Sequence, residues 1–271
     1  MGPGLSHWRE TAVGSHAWIA FGAAVQAAAV AFALDPGAGL RALGYAVALA
    51  LAVGLYYTLY RGTLAPSRRS VLVVGATAVV CLALAFALAL PEEAMSVGLG
   101  GAAFALIYAY TGLELRSTPA FGVVKPLLLA AVWTCYTALL PSALVDDFDG
   151  RLLLARACFF LALALAFDHR DRRIDLRVGL RTLSARLGPT VAATCSCGLL
   201  LASGALTLWS GGGGLPPAAV ALALTSLVGA GAVYYAFRQN RWRGRDYDFY
   251  LDGLLVLPLP IYLTLAWWWP G

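Results

Sequence analysis

Charge is scarce in this sequence: 12% of its 271 residues are Asp, Glu, Lys or Arg, and Lys125 is the only lysine. Soluble domains carry about 25% charged residues, so water is excluded as the main solvent. Cysteine is equally uninformative as a source of chemistry. Cys81, Cys135, Cys158, Cys195 and Cys197 all fall inside apolar stretches, where neither a secreted disulfide framework nor an exposed zinc site is expected. They read as small residues facing lipid or core, and Cys195 and Cys197, two apart, lie on different faces of a helix. The Gly211 to Gly214 run has no Lys-Ser/Thr after it and no strand before it, which makes it an outer loop and not a phosphate cradle. The net charge of +5 does not imply nucleic acid, because that partner requires a basic face on a soluble fold.

What the chain has in abundance is apolar length. Hydrophobic residues make up 61% of it and the mean hydropathy is +0.76. A helix needs roughly 20 apolar residues to cross a hydrocarbon core, and runs of that kind stand at 17–34, 41–60, 71–90, 97–113, 123–143, 151–167, 189–208, 216–238 and 253–269. The expectation is an all-α membrane protein, a single domain over 1–271 built as a bundle of about nine transmembrane helices. Helices are required, since spanning backbone must satisfy its own hydrogen bonds, and the runs are too long for barrel strands.

The basic residues alternate between loops. Arg61, Arg68 and Arg69 form one group, Arg116 and Lys125 a second, Arg170, Arg172, Arg173, Arg177, Arg181 and Arg186 a third, and Arg238, Arg241, Arg243 and Arg245 a fourth. The intervening loops hold Asp35, then Glu92 and Glu93, then Asp146, Asp147 and Asp149, then the uncharged Gly211 to Pro217 stretch. By the positive-inside rule the basic loops and the N-terminus are cytoplasmic and the C-terminus lies outside, in an inner or plasma membrane. The first residues, Met1 to Ser15, offer no clear cleavage site and read as a retained cytoplasmic end. Trp209 and Trp267 to Trp269 close the seventh and last spans as interfacial anchors. No pair of opposite charges is placed mid-span, as a transporter would require.

One segment concentrates the charge. After Phe167 the chain reads Asp168-His169-Arg170-Asp171-Arg172-Arg173-Ile174-Asp175-Leu176-Arg177-Val178-Gly179-Leu180-Arg181-Thr182-Leu183-Ser184-Ala185-Arg186-Leu187-Gly188. On a continuing helix Asp168, Asp171 and Asp175 stand at i, i+3 and i+7, on one face. Such carboxylates repel one another unless paired with neighbouring arginines or with a divalent cation. Hard oxygen ligands suit Mg²⁺, which takes its remaining ligands from water and a substrate diphosphate. An acidic stretch around Asp246, Asp248 and Asp252, where Asp252 enters the last span, is a candidate second patch facing this cluster.

This segment is similar to the second aspartate motif of the UbiA family of intramembrane prenyltransferases, with Asp171, Asp175, Gly179, Thr182, Leu183, Arg186, Leu187 and Gly188 in register; the position of Asp168 is usually Asn in menaquinone-type members. A shorter stretch, Tyr110-Thr111-Gly112-Leu113-Glu114-Leu115-Arg116, resembles the family's Tyr-Thr-Gly stretch followed by a basic residue. The resemblance implies transfer of a prenyl group from an isoprenoid diphosphate to a lipophilic acceptor, aromatic or quinone-precursor-like, within the membrane. It implies Mg²⁺ held by Asp168, Asp171 and Asp175, catalysis through Asp171 and Asp175, and a diphosphate contact from Arg116; Arg170 and Lys125, on their charge and position alone, are further candidate diphosphate contacts.

The chain departs from the family in two places. The first aspartate motif would lie at the end of the second span, yet Tyr56 to Arg69 contains no carboxylate, and Leu180 replaces a basic residue of the second motif. Arg61, Arg68 and Arg69 can meet diphosphate oxygens directly, because guanidinium matches phosphate geometry. Tyr56, Tyr57 and Tyr60 are placed either to line a prenyl tunnel and face an allylic cation or to anchor the interface. Two alternatives to prenyl transfer stay open: a non-catalytic family member that binds an isoprenoid lipid, and an intramembrane terpene cyclase.

Overall fold

Apolar helix formers fill the chain from end to end, and the computed structural model shows the consequence over residues 17–62, 120–177, 182–210, 215–239 and 244–268, the part it describes. Every regular element there is helical: α1 (Ala17–Leu34), α2 (Gly39–Gly62), α3 (Phe121–Thr134), a π-helical turn (Cys135–Leu139), α4 (Leu140–Val145), α5 (Gly150–Arg177), α6 (Leu183–Ser210), α7 (Pro217–Gln239), α8 (Gly244–Val256) and α9 (Pro258–Trp268). Five helical stretches are long and apolar enough to cross a membrane, namely Phe121–Val145, Gly150–Arg172, Leu183–Ser210, Pro217–Phe237 and Phe249–Trp268, with shorter apolar helices at Trp18–Leu34 and Gly39–Gly54. The chain is thus a multi-pass integral membrane protein. The expected runs 71–90 and 97–113 lie outside the described residues, as does the expected cytoplasmic N-terminal end.

Helix α5 is the centre of the packing, with α6 and α3 against it; α7 continues from α6, and α1 joins α2 and α8. The core behind α5 is aromatic and aliphatic, with Phe159, Phe160, Leu163, Leu200, Val233, Leu251 and Leu254 buried together. Asp149 starts α5: its Oδ1 accepts from the backbone N–H groups of Arg151 (2.7 Å) and Leu152 (3.3 Å), which satisfies two of the donors a helix start leaves open. One of the acidic residues of that loop therefore has a capping role. At the same end, the Arg151 guanidinium lies 4.4 Å over the Trp209 ring, tying the start of α5 to the end of α6.

Two prolines interrupt spans, and in both cases the first two helices supply the missing donor. In the π-helical turn the Leu140 N–H bonds the Cys135 carbonyl, five residues back. In that register the next N–H would reach Tyr136, but residue 141 is proline and has none. The Tyr45 hydroxyl of α2 donates to the Tyr136 carbonyl instead. The last span breaks between Val256 and Pro258 for the same reason, since Pro258 cannot bond the Leu254 carbonyl. Gln26 of α1 sends its Nε2 to the carbonyls of Leu254 (3.3 Å) and Leu255 (3.1 Å). In hydrocarbon an orphaned carbonyl costs several kcal/mol, so these contacts favour the docking of α1 and α2 against the two breaks.

Gln26 also belongs to a buried polar chain. Its Oε1 accepts from Arg156 Nη1 at 2.9 Å, and Arg156 Nη2 donates to Ser203 Oγ at 3.1 Å. Ser203 in turn lies 3.1 Å from Ser226 Oγ, which bonds the Leu222 carbonyl. Arg156 is fully buried and its guanidinium sits 4.5 Å over the Phe159 ring. The chain joins α1, α5, α6 and α7 through one charged group and neutral acceptors. Sequence reasoning passed over Arg156 because it is a single charge inside an otherwise apolar run.

Candidate functional site

The far end of α5 carries the charged segment. The helix does not stop with the apolar run at Phe167 but continues to Arg177, so the expected shared face for Asp168, Asp171 and Asp175 has an unbroken backbone beneath it. Beyond it, Thr182 caps α6, its Oγ1 accepting from the Ala185 N–H at 3.3 Å. The helix then kinks at Gly188, with φ 78° and ψ 165°, a backbone region essentially confined to glycine. Pro189 opens the membrane-spanning part with its φ already suited to a first helical position. The Thr and the closing Gly of the motif thus have local structural reasons: one starts the short edge helix and the other turns it into the span.

Asp168 faces α3. Its Oδ1 lies 2.8 Å from Lys125 Nζ, and its side chain is 4% exposed against 22% for the lysine. Lys125 stands in the first turns of α3, just before Pro126. Asp171, 31% exposed, is gripped by Arg170 through two parallel bonds, Nε to Oδ1 and Nη2 to Oδ2, both 2.7 Å. Arg170 is itself braced, its guanidinium 5.0 Å over the Phe167 ring. The arrangement sets two cation–carboxylate pairs side by side, one between α3 and α5 and one within α5, and an incoming polyanion can enter such an array by exchanging partners.

His169 was not singled out by the sequence. Its ring stacks on Phe237 of α7 at 4.1 Å between centroids, and its Nδ1 is buried without a hydrogen-bond partner. The signal that could have found it is its place between Asp168 and Arg170. The remaining expected site residues are not gathered by the described structure. Arg61 lies in the last turn of α2 and Asp175 in the last turns of α5, with side chains outside the described part; Arg68, Arg69 and Arg116 lie outside it altogether. Asp252 is buried in α8, which packs on α1 and α5. Among the described residues no three His, Cys, Asp or Glu side chains converge as a metal cluster.

The donor set still suits a hydrated hard cation. Asp171 and Asp175 are one helical turn apart on a continuous helix, and carboxylates taken singly, with waters completing the shell, are what Mg²⁺ accepts. Cys135, Cys158, Cys195 and Cys197 are free; Cys197 bonds the Ala230 carbonyl at 3.4 Å, a packing contact between α6 and α7.

No curated protein and no solved structure matches the chain. A protein-family model, described as the UbiA prenyltransferase family, matches residues 63–257. The match takes in α3 through α8 with the whole charged segment, and begins inside the carboxylate-free stretch Tyr56 to Arg69. Covering well over half of the sequence, it makes this chain a member of the UbiA prenyltransferase family.

Proposed function

We propose that the protein transfers a prenyl group from an isoprenoid diphosphate to a lipophilic acceptor, at the cytoplasmic-edge end of α5. The observation that carries this reading is the pair of adjoining ion pairs, Lys125 with Asp168 and Arg170 with Asp171, set against an apolar core at the end of a membrane helix. Family membership supports the reaction class, and members generally use Mg²⁺ for diphosphate binding.

The chain's own residues have distinct parts. Arg170, pre-oriented on Phe167, presents a planar fork that fits two phosphate oxygens when Asp171 turns away from it. Asp171 and Asp175 would then hold Mg²⁺, which when bound neutralises charge on the diphosphate leaving group. The prenyl C–O bond breaks with its electron pair on the diphosphate oxygen, the acceptor's nucleophilic atom bonds to the allylic carbon, and the proton the acceptor gives up passes to the released diphosphate or to water. Phe167, packed against the buried core and lying under the Arg170 guanidinium, borders this helix end on its apolar side, where it would help keep water from the cation. Arg61, Arg68, Arg69 and Arg116 complete the diphosphate contacts in this reading.

A second reading is supported by the absence of any carboxylate from Tyr56 to Arg69, which removes a whole aspartate motif: binding of an isoprenoid lipid without turnover. Diphosphate release from isoprenoid diphosphates of several chain lengths, with Mg²⁺ and an aromatic acceptor, separates the two. Turnover that falls at least about 100-fold in Asp171→Ala and Asp175→Ala is expected. No release from the unaltered protein at any chain length would overturn prenyl transfer and favour the lipid-binding reading.

A further inference from the structure

The ion pair between α3 and α5 is asymmetric in a way that bears on the metal. Lys125 Nζ sits 2.8 Å from Asp168 Oδ1, and of the two side chains the carboxylate is the enclosed one, 4% exposed, while the lysine keeps 22%. A polyanion or a metal ion approaching this end of α5 meets the ammonium before it meets the carboxylate. Lys125 is also the only lysine of the chain, and the stretch Tyr56 to Arg69 carries Arg61, Arg68 and Arg69 with no carboxylate at all. At Asp168 the described structure thus has a cation held against a carboxylate that the resemblance assigns to the metal.

We propose that Asp168 is a positioning residue and not a metal ligand: it holds the Lys125 ammonium as a resident cation that binds diphosphate without a metal ion, leaving the metal to Asp171 and Asp175. The inference rests on the diphosphate-site reading above and changes the part that Asp168 plays in it. An ammonium has three N–H donors, so one can remain on Asp168 while the charge serves a phosphate oxygen. A lysine released from this anchor is a flexible side chain with four rotatable bonds, and its charge is no longer held at the site.

The test uses the purified full-length protein and two probes. Inorganic pyrophosphate is titrated with EDTA present, and Mn²⁺ alone is titrated by electron paramagnetic resonance. Lys125→Met and Asp168→Asn are each expected to weaken metal-free pyrophosphate binding about tenfold, and the double variant to be no weaker than either single one, since coupled residues are not additive. Asp168→Asn is expected to leave Mn²⁺ affinity within about twofold, where Asp171→Asn lowers it at least about tenfold. A pair that only braces α3 against α5 would leave pyrophosphate affinity unchanged in the double variant, which removes both charges together; that result overturns the inference. So does an Asp168→Asn variant that loses Mn²⁺ as Asp171→Asn does. Absence of prenyl transfer with both binding patterns intact would defeat the enzymatic reading and leave the metal-independent anion site standing.

Discussion

Gln26→Leu is the most exacting test of the polar chain that crosses the bundle. The replacement keeps a side chain of similar bulk, so little packing is lost, but three hydrogen bonds disappear: the one accepted from Arg156 at 2.9 Å and the two donated to Leu254 and Leu255 at 3.3 and 3.1 Å. Depriving a buried charged group of an acceptor costs about 1.5–3 kcal/mol, and leaving a buried carbonyl unsatisfied about 1–3 kcal/mol. The long Leu254 bond contributes least, which places the sum at about 3–5 kcal/mol. Adding Arg156→Met removes the cation that lacks its acceptor, while Ser203 keeps Ser226. The double variant is then expected to recover about 2 kcal/mol, because a buried polar group removed together with its partner costs less than one left alone. Equilibrium unfolding in mixed micelles of rising SDS fraction, followed by tryptophan fluorescence, measures both. A Gln26→Leu protein within about 1 kcal/mol of the unaltered one, or a double variant less stable than the single, would refute the reasoning.

Further outcomes follow from the same structure. Tyr45→Phe leaves the Tyr136 carbonyl without its donor and is expected to cost about 1–3 kcal/mol; in a Pro141→Ala background, where a backbone N–H returns, the same change should cost less than half as much in the same unfolding assay. Gly188→Ala meets no atom within 4 Å, so its penalty of about 1–3 kcal/mol comes from backbone conformation alone, and a loss of pyrophosphate affinity should accompany it as the Leu183–Leu187 turn is re-aimed. Reporter fusions are expected to place the loop after α6 and the C-terminus outside the cell; a cytoplasmic C-terminus would reject the nine-span arrangement.

The membrane class, the helical architecture and the family were legible in the sequence because each depends on short-range information. Apolar runs of spanning length can only be helices in lipid, and a motif such as Asp171 to Gly188 carries its register in consecutive residues. Thr182 and Gly188 show why that register survives: a helix cap and a glycine-only kink are local requirements, read directly from residue type. The apolar run was nevertheless a poor guide to where α5 ends, since the hydrophobic count stops at Phe167 whereas backbone hydrogen bonding continues to Arg177.

What only the tertiary structure decided is which groups pair. The three aspartates share a helix face on spacing alone, but spacing cannot say that Asp168 turns to a lysine 43 residues earlier while Asp171 is held by its own neighbour. Nor can composition reveal that Arg156, one charge in an apolar run, ends up beside Gln26, a residue 130 positions away. Pro258 announces that Leu254 loses its backbone donor, and Pro141 leaves Tyr136 without one only because of the π-helical turn before it; which distant side chain replaces them is settled only when α1 and α2 are docked. Desolvation in lipid makes each unsatisfied polar group costly, so the sequence dictates that partners exist, and the packing of helices far apart in the chain determines who they are.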